Sequence, residues 1–188
     1  MSKHTTIVVT GATGTVGGRV VEQLLARGTR PTVFVRNAEK ARARFGDRVD
    51  VVVGDLSDAR SLAPALSKGS IVFLVNSGPD LAARDAAAAE VARVAGDVHV
   101  VKLSTMDVEL QSVGTGVWHA KGEAAIRASG VGFTFVQPSG FMTNALAWAT
   151  TIRTGGVVRS STGDGKIAFV HPEDIASVAV LALTSDAH

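Results

Sequence analysis

Short apolar runs alternate with stretches of helical periodicity along most of the 188 residues of this chain. Each apolar run is brief and almost wholly hydrophobic, which is typical of a strand buried on both faces of a parallel sheet. Turn-forming residues such as glycine, proline, asparagine and aspartate follow most of the runs. The predicted strands are Thr5–Thr10, Pro31–Val35, Val49–Val53, Ile71–Val75, Val98–Leu103, Phe133–Val136 and Ile167–Val170.

Amphipathic segments separate these strands and predict the helices that connect them. The last helix has strong start signals, because Pro172 stands at its first position and Glu173 and Asp174 lie near the positive end of its dipole. Strands that alternate with helices favour a doubly wound, mainly parallel α/β sheet with helices on both faces. Among the other predicted helices, one ends at Gly28 and another starts near Asp58. The remaining ones cover Ala38–Phe45, Leu81–Ala95, Trp118–Ala128 and Met142–Ile152.

Three glycines, Gly11, Gly14 and Gly17, separate the first strand from the first helix at the spacing G-x-x-G-x-x-G. In dinucleotide-binding folds such glycines permit a tight turn, a close approach of the backbone to a pyrophosphate, and packing of the helix on the strand. The helix N-terminus then presents N–H groups and a positive dipole to the phosphates. We therefore predict a Rossmann-type dinucleotide-binding domain, one unit over residues 1–188.

The residues that follow the predicted strands are candidate cofactor contacts, because ligands of parallel α/β sheets bind at the carboxyl ends of the strands. These positions should line one crevice. The candidates are Gly11, Thr13, Gly14, Thr15, Val16, Arg36, Asn37, Asp55, Leu56, Asn76, Ser77, Gly78, Ser104 and Pro138.

The residue at the end of the second strand bears on the choice of dinucleotide. A site that prefers NAD usually carries an acidic residue there, which binds the ribose 2′-hydroxyl. This chain has Arg36 instead, beside Asn37 and Lys40. A guanidinium can hold a 2′-phosphate in a bidentate fork, so we expect NADP(H) to be preferred over NAD(H); the alternative is a solvated arginine. Asp55 can accept from the adenine amine while Leu56 covers the ring, can cap the next helix, or both.

Composition narrows the function classes. A formal charge of +2 without a basic block gives no reason to expect a nucleic-acid partner. The absence of cysteine excludes disulfides, thiolate metal sites and a cysteine nucleophile. No apolar run is long enough to span a bilayer, and the first residues lead directly into the first strand. We expect a cytoplasmic protein with a small-molecule substrate, no metal site and no membrane partner.

Six stretches occur in the order known from one family: Thr10–Gly17, Arg36-Asn37, Gly54–Leu56, Trp118–Glu123, Pro138–Asn144 and Phe169–Ala176. Together they resemble the NmrA-like group of atypical short-chain dehydrogenases/reductases, which includes NADPH-dependent quinone reductases. The resemblance covers essentially the whole chain. It implies a Rossmann domain, a preference for NADP, and a substrate site over the nicotinamide that is formed partly by residues 141–148.

Members of this group normally continue past the last helix seen here, with a further strand and more of a small substrate lobe. The resemblance therefore implies that residues 139–170 contribute to a substrate-side lobe and that this lobe is incomplete in the present chain. An incomplete sheet leaves an unpaired edge, and such edges readily pair with another chain. A homodimer is the assembly that this expectation favours.

The classical enzymes of this superfamily use a Tyr-x-x-x-Lys pair, but this chain contains no tyrosine. If Lys121 takes the lysine position, Val117 stands at the tyrosine position. If His119 takes the tyrosine position, Glu123 stands at the lysine position, one helical turn away. We hypothesise that His119 polarises the acceptor carbonyl and that Glu123 orients it; the alternative is a histidine without a catalytic role.

Four further side chains have open roles. Lys121 can contact the nicotinamide ribose or a phosphate, or it can be a solvated lysine. Trp118, Phe141 and Trp148 can form an apolar wall of the substrate site, although core packing explains such aromatic residues equally well.

The missing phenol bears on the substrate class. Reduction of a ketone needs a proton donor for the developing alkoxide, whereas a quinone delocalises the charge that it receives. The sequence therefore favours an NADPH-dependent oxidoreductase that transfers hydride to a quinone-like or aromatic carbonyl compound. The alternative is a non-catalytic NADP(H)-binding redox sensor or regulator, because the group that this chain resembles includes such proteins.

Overall fold

A six-stranded parallel sheet in the order β3-β2-β1-β4-β5-β6 forms the centre of the computed structural model, which describes residues 6–110, 114–160 and 163–185. This is the strand order of doubly wound dinucleotide-binding domains, and it confirms the predicted fold class. The strands are β1 (Ile7–Thr10), β2 (Thr32–Val35), β3 (Asp50–Val53), β4 (Ile71–Leu74), β5 (His99–Leu103) and β6 (Gly132–Val136).

Helices follow the strands and cover both faces of the sheet. A second, two-stranded parallel sheet pairs β7 (Gly140–Phe141) with β8 (Phe169–Val170). The α-helices are α1 (Gly17–Ala26), α2 (Ala38–Phe45), α3 (Leu81–Ala95), α4 (Asp107–Leu110), α5 (Thr115–Ser129), α6 (Ala149–Gly155) and α7 (Pro172–Thr184). Shorter 3₁₀ segments cover Gly46–Arg48, Leu56–Ala65 and Met142–Trp148.

The sheet separates two apolar cores, since successive side chains of a strand point to opposite faces. Ile7 and Val9 of β1 pack in the core that α1, α2 and α7 cover. Val8 points the other way, into the core beneath α3 and α5. The same alternation places Val100 of β5 on the α3–α5 face and Val101 on the opposite one.

Three predicted elements differ from the structure. The helix expected to start near Asp58 is instead a 3₁₀ segment with non-helical backbone at Asp58, and it contains Pro64, which cannot donate to a helical ladder. The helix expected over residues 142–152 is a 3₁₀ segment followed by α6, which extends to Gly155. The strand expected over residues 167–170 is only two residues long. Thr5, the expected start of the first strand, lies outside the described residues.

Among the helices within these ranges, none is long and apolar enough to cross a membrane.

Candidate functional site

The glycine loop between β1 and α1 is tightly packed. Gly11 has a φ of +61°, a left-handed conformation that glycine adopts without strain. A Cβ at Gly17 would lie 2.3 Å from the carbonyl oxygen of Gly11, so the start of α1 touches the turn itself. The backbone N–H of Gly14 donates to that same oxygen at 2.9 Å. The loop therefore has the backbone cradle that a pyrophosphate requires.

A cleft of about 370 Å³ opens beside this loop, at the carboxyl ends of β1 to β4. Several predicted cofactor contacts line it: Gly11, Thr13, Arg36, Asn37, Asp55, Leu56, Asn76 and Ser77. The other predicted contacts lie outside its walls: Gly14, Thr15, Val16, Gly78, Ser104, Lys121 and Pro138. The structure thus brings predicted residues that follow each of the strands β1 to β4 together in one cleft.

Cations dominate the rim of this cleft. Arg36 is 83% exposed, and its Nη1 lies 3.9 Å from Oδ2 of Asp55. Lys40 and Arg84 line the same cleft. Arg84 lies in the first turn of α3 and pairs with Asp80 at 3.5 Å. An anionic group in this cleft would meet up to three positive side chains.

Two cleft residues also act as helix caps. Asn37 Oδ1 accepts from the backbone N–H of Lys40 at 2.9 Å and so caps α2. Asp55 Oδ1 accepts from the N–H of Ser57 at 2.9 Å, which realises the capping role foreseen for it. That hydrogen bond is the main reason why the pKa of Asp55 lies below its usual range. Its carboxylate is ionised at neutral pH and remains half-exposed toward Arg36.

A buried polar cluster lies where β4 and β5 approach the cleft. Lys102 of β5 and Asp85 of α3 are fully buried, and Nζ of Lys102 lies 3.0 Å from Oδ2 of Asp85. Asn76, which follows β4, donates from Nδ2 to the other oxygen of Asp85 at 2.7 Å. Burial lowers the pKa of Lys102 and raises that of Asp85, while each charge counteracts the shift of the other.

Glu123 of α5 belongs to a neighbouring network. Its Oε1 accepts from Oγ of Ser104 at 2.5 Å and from Nε2 of Gln137 at 2.8 Å. Its Oε2 lies 3.6 Å from Nη2 of Arg127. In the described part of the chain no hydrogen bond joins Glu123 to His119. The structure thus places the Glu123 carboxylate on Ser104, Gln137 and Arg127, and its proposed role in orienting His119 stays a prediction.

His119 is half-buried on α5. Its Nδ1 is buried and has no hydrogen-bond partner among the described residues. Burial, together with the positive charge of Lys102, lowers the pKa of His119 to about 4, although Asp107 acts in the opposite direction. The imidazole is therefore neutral at physiological pH. Lys121, two residues further along α5, is exposed.

The three aromatic residues predicted for the substrate side lie in different surroundings. Trp118 is partly exposed on α5. Phe141 packs against the core that α1 and α7 cover, in line with the core-packing alternative. Trp148 meets the ring of Phe169 edge-on, with 6.5 Å between ring centroids. The catalytic and substrate-side roles of these residues stay predictions.

Sequence reasoning missed the buried pair and two other polar side chains, Gln137 and Arg84. Lys102 carried a signal, since it is the one charged residue within the apolar strand β5. Asp85 gave none, because α3 contains several charged residues. Arg84 could have been found from its place in the first turn of the helix that follows the Asn76–Gly78 loop.

The strand order, the glycine loop and the adjoining cleft define a dinucleotide-binding α/β domain. This chain belongs to the NAD(P)H-binding family, whose pattern it matches over residues 11–186. Its cofactor is accordingly a nicotinamide dinucleotide, and the resemblance to the NmrA-like reductases is confirmed.

Two relatives have similar sequences over 97% of this chain. A (4-alkanoyl-5-oxo-2,5-dihydrofuran-3-yl)methyl phosphate reductase of Streptomyces griseus is 42% identical over 184 residues. An NAD(P)H azoreductase of Xenophilus azovorans is 37% identical over 184 residues. The chain spans 64% of the length of each of these two relatives.

Solved structures resemble the fold closely. The NADPH-dependent quinone oxidoreductase of Escherichia coli, in complex with NADPH, superposes with a TM-score of 0.86 at 26% identity. The match covers 97% of this chain and 66% of that one. The triphenylmethane reductase of a Citrobacter species, in complex with NADP(H), gives a TM-score of 0.87 at 26% identity, with coverage of 97% and 67%.

Proposed function

We propose that this chain forms the cofactor-binding part of an NADPH-dependent reductase that transfers hydride to a quinone-like or aromatic carbonyl compound. The observation that carries the proposal is the cleft beside the glycine loop, which lies at the ends of parallel strands and presents the cations Arg36, Lys40 and Arg84. Bound NADPH supplies the hydride, and the protein supplies position and electrostatics.

The preference for NADP(H) rests on Arg36 and Lys40. Arg36 is largely exposed, and its contact with Asp55 at 3.9 Å is loose, so its guanidinium is available to a 2′-phosphate. Asp55 and Leu56 line the same cleft and are proposed to contact the adenine. Gly14, Thr15, Val16, Gly78, Ser104, Lys121 and Pro138 remain proposed contacts beyond the cleft.

His119 is the side chain that we propose to polarise the acceptor. Because the imidazole is neutral at physiological pH, it can donate one hydrogen bond but carries no spare proton to deliver as a strong acid. Electron-poor acceptors need little proton donation, since they spread the arriving charge. The relatives named for an azo compound, a quinone and an oxo-dihydrofuran phosphate favour this class. Glu123 is proposed to hold Ser104 and Gln137 in place.

The proposed function is tested by NADPH oxidation with a panel of a naphthoquinone, an azo dye and a simple ketone. We expect turnover with the first two and little with the ketone. His119→Ala should lower kcat about 10²-fold, since removing one hydrogen-bond donor aimed at the developing charge costs about 10²–10³ in kcat, and should leave NADPH binding intact. His171→Asn, which keeps a capping side chain at the start of α7, is the matched control and should retain activity.

A redox sensor that binds NADP(H) without turnover is the second candidate. It is favoured by the lack of tyrosine and by the engagement of Glu123 with Ser104 and Gln137. Tight NADPH binding with no oxidation by any member of the panel would support the sensor and contradict the reductase.

The remaining expectations are proposals as well. Residues 139–170 are proposed to contribute to a substrate-side lobe, with Trp118, Phe141 and Trp148 on its apolar wall. We also propose a cytoplasmic location and a homodimer. Light scattering of the purified protein at micromolar concentration tests the dimer, and a mass of one chain would contradict it.

A further inference from the structure

The buried pair Lys102–Asp85 has no part in the function proposed so far, although it lies directly behind the cofactor cleft. Both side chains have no measurable exposure to solvent. A charged pair removed from water gives up most of its hydration, so its presence needs a reason other than the Coulomb attraction. The contacts of Asp85 point to that reason.

The geometry of β4 and β5 explains why the ion pair lies beside Asn76. Val100 faces the core beneath α3 and α5, so Lys102, two residues further on, points to the same face. Leu74 of β4 also faces that core, and it stands opposite Lys102 in the sheet register. Asn76 lies two residues after Leu74, so just beyond the end of β4 it continues on the same face of the sheet. Asn76 and Lys102 therefore reach Asp85 from neighbouring strands.

Helix α5 seals the pair from solvent. A Cβ at Gly122 would lie 2.4 Å from Oδ2 of Asp85 and 2.9 Å from Cδ2 of Leu81. The absence of a side chain at Gly122 thus lets the backbone of α5 close over the carboxylate. Oδ2 keeps the ion pair with Lys102 but has no well-aligned hydrogen bond to any residue that the structure describes.

The two ends of the Asn76 side chain face different surroundings. Nδ2 of Asn76 donates to Oδ1 of Asp85 at 2.7 Å, so the amide turns its NH₂ group toward the carboxylate. The Lys102 ammonium, 3.0 Å from Oδ2, favours the ionised form of Asp85, which only accepts hydrogen bonds. Asn76 lines the cofactor cleft. With one N–H of that group donated to Asp85, the carbonyl Oδ1 is the acceptor that the amide keeps for a ligand in the cleft. A neutral residue in place of Asp85 could pair with either end of the amide.

We propose that the Lys102–Asp85 ion pair is a positioning unit, which holds the Asn76 amide in one orientation and so presents its carbonyl oxygen to a ribose hydroxyl of the bound dinucleotide. Lys102 keeps Asp85 as a pure acceptor, Asp85 fixes Asn76, and Asn76 contacts the cofactor. Lys102 and Asp85 touch no ligand themselves. The inference rests on the proposed role of Asn76 in cofactor binding and adds what sets its orientation.

A double-mutant cycle with NADPH affinity as the readout tests this chain of contacts. The double variant K102M/D85L replaces the pair by apolar side chains of similar size, an exchange that buried ion pairs often tolerate. We expect its melting temperature to stay close to that of the wild type and its Kd for NADPH to rise about tenfold. We expect Asn76→Ala to raise Kd by a similar factor, and N76A/K102M/D85L to be no worse than Asn76→Ala alone.

The matched control removes an exposed ion pair from the same helix. Glu90 and Arg93 of α3 form a salt bridge at 2.6 Å on the surface, and E90Q/R93M should leave Kd unchanged. If K102M/D85L does not fold, the more conservative K102M/D85N takes its place in the same cycle. It keeps the shape of residue 85 and removes the charge that orients Asn76.

Two results would overturn the proposal. One is unchanged NADPH affinity in a folded variant that lacks the pair. The other is a loss of affinity that adds in full to the loss caused by Asn76→Ala, since the pair would then act by another route. The cycle measures binding alone, so a wild-type protein that binds NADPH but reduces no acceptor would contradict the proposed reductase and leave this test intact.

Discussion

His119 joins burial and charge in a way that makes its protonation costly. The ring is half-buried on α5, its Nδ1 lacks a partner within the described residues, and Lys102 adds a positive charge nearby. Asp107 is the acidic group that opposes these effects, and burial outweighs it. The pKa of about 4 in the folded chain lies below the usual value near 6.5, so the unfolded chain binds the proton more readily.

This difference predicts a pH-dependent contribution to stability. Between about pH 6.5 and pH 4 the unfolded state carries more protons at His119, so the free energy of unfolding must fall as the pH falls. One proton contributes at most about 1.4 kcal/mol per pH unit, and solvent access reduces that figure here. The measurement is urea unfolding of the wild type and of His119→Asn at several pH values in this window.

The difference between the two curves isolates His119, since other groups such as Asp85 contribute equally to both proteins. We expect the wild type to lose stability relative to His119→Asn as the pH falls from 6.5 to 4. Parallel curves would mean that the ring titrates alike in both states, and that it is not held neutral by its surroundings.

Single residues were predictable where the type of residue alone defines the role. Arg36 at the end of β2 and Asn76 after β4 were expected at the cofactor cleft, and both line it. The engagement of Glu123 with Ser104 and Gln137 was not predictable, because spacing along α5 says nothing about the residues that follow β5 and β6. Long-range contacts of this kind depend on the packed tertiary structure.

At the scale of elements, the β1–α1 unit is held together by the lack of side chains at its glycines. The Cβ of an alanine at position 17 would lie 2.3 Å from the Gly11 oxygen and 2.8 Å from its carbonyl carbon. These are backbone atoms of a turn, so they cannot give way as a flexible side chain can. Helix α1 would have to move away from β1.

We therefore expect Gly17→Ala to destabilise the protein by about 1–3 kcal/mol, as overpacked sites do, and to weaken NADPH binding because the phosphate cradle is displaced. Gly155→Ala is the matched control. Gly155 also lies in a helix, but a Cβ there meets nothing within 4 Å, so stability and affinity should be retained. Equal melting temperatures of the two variants would contradict the packing argument.

The helices and strands with a clear periodicity and clear start and stop signals were predicted best. Helix α7 begins at Pro172 as expected, and His171 caps it by accepting from the N–H of Glu173 at 3.2 Å. The segment 142–155 was predicted less well. Its apolar residues Leu146 and Ile152 are exposed, so no buried face imposes α-helical geometry along its whole length.

At the scale of the whole molecule, the order of the strands follows from the sequence pattern together with the general topology rules of α/β sheets. Short apolar strands linked by helices require right-handed parallel crossovers, and the glycine loop identifies β1 as the strand beside the switch point. What the pattern leaves open is the extent of the substrate side. This chain spans 64–66% of the length of the relatives and of the E. coli quinone oxidoreductase that it resembles.

Residues at the ends of β1 to β4 and at the starts of α2 and α3 build the cofactor cleft. We therefore expect NADPH to stabilise the entire fold. A ligand at about 100 times its Kd adds about 2.7 kcal/mol, which raises the melting temperature of a domain of this size by about 5–10 °C. NADH at the same concentration should raise it less, because it lacks the 2′-phosphate that Arg36 is proposed to bind.

Comparing Arg36→Ala with Arg60→Ala tests whether the difference between the NADPH and NADH melting shifts arises in the cleft. Arg60 is 91% exposed and pairs with Asp58 outside the cleft, so its removal should leave both melting shifts unchanged. Arg36→Ala should reduce the NADPH shift to that of NADH, since a charge-assisted contact to a phosphate contributes about 1.5–3 kcal/mol. Differential scanning fluorimetry with both dinucleotides measures all of these shifts. If NADPH still raises the melting temperature of Arg36→Ala more than NADH does, the 2′-phosphate would be assigned to Lys40 or Arg84, the other cations of the cleft.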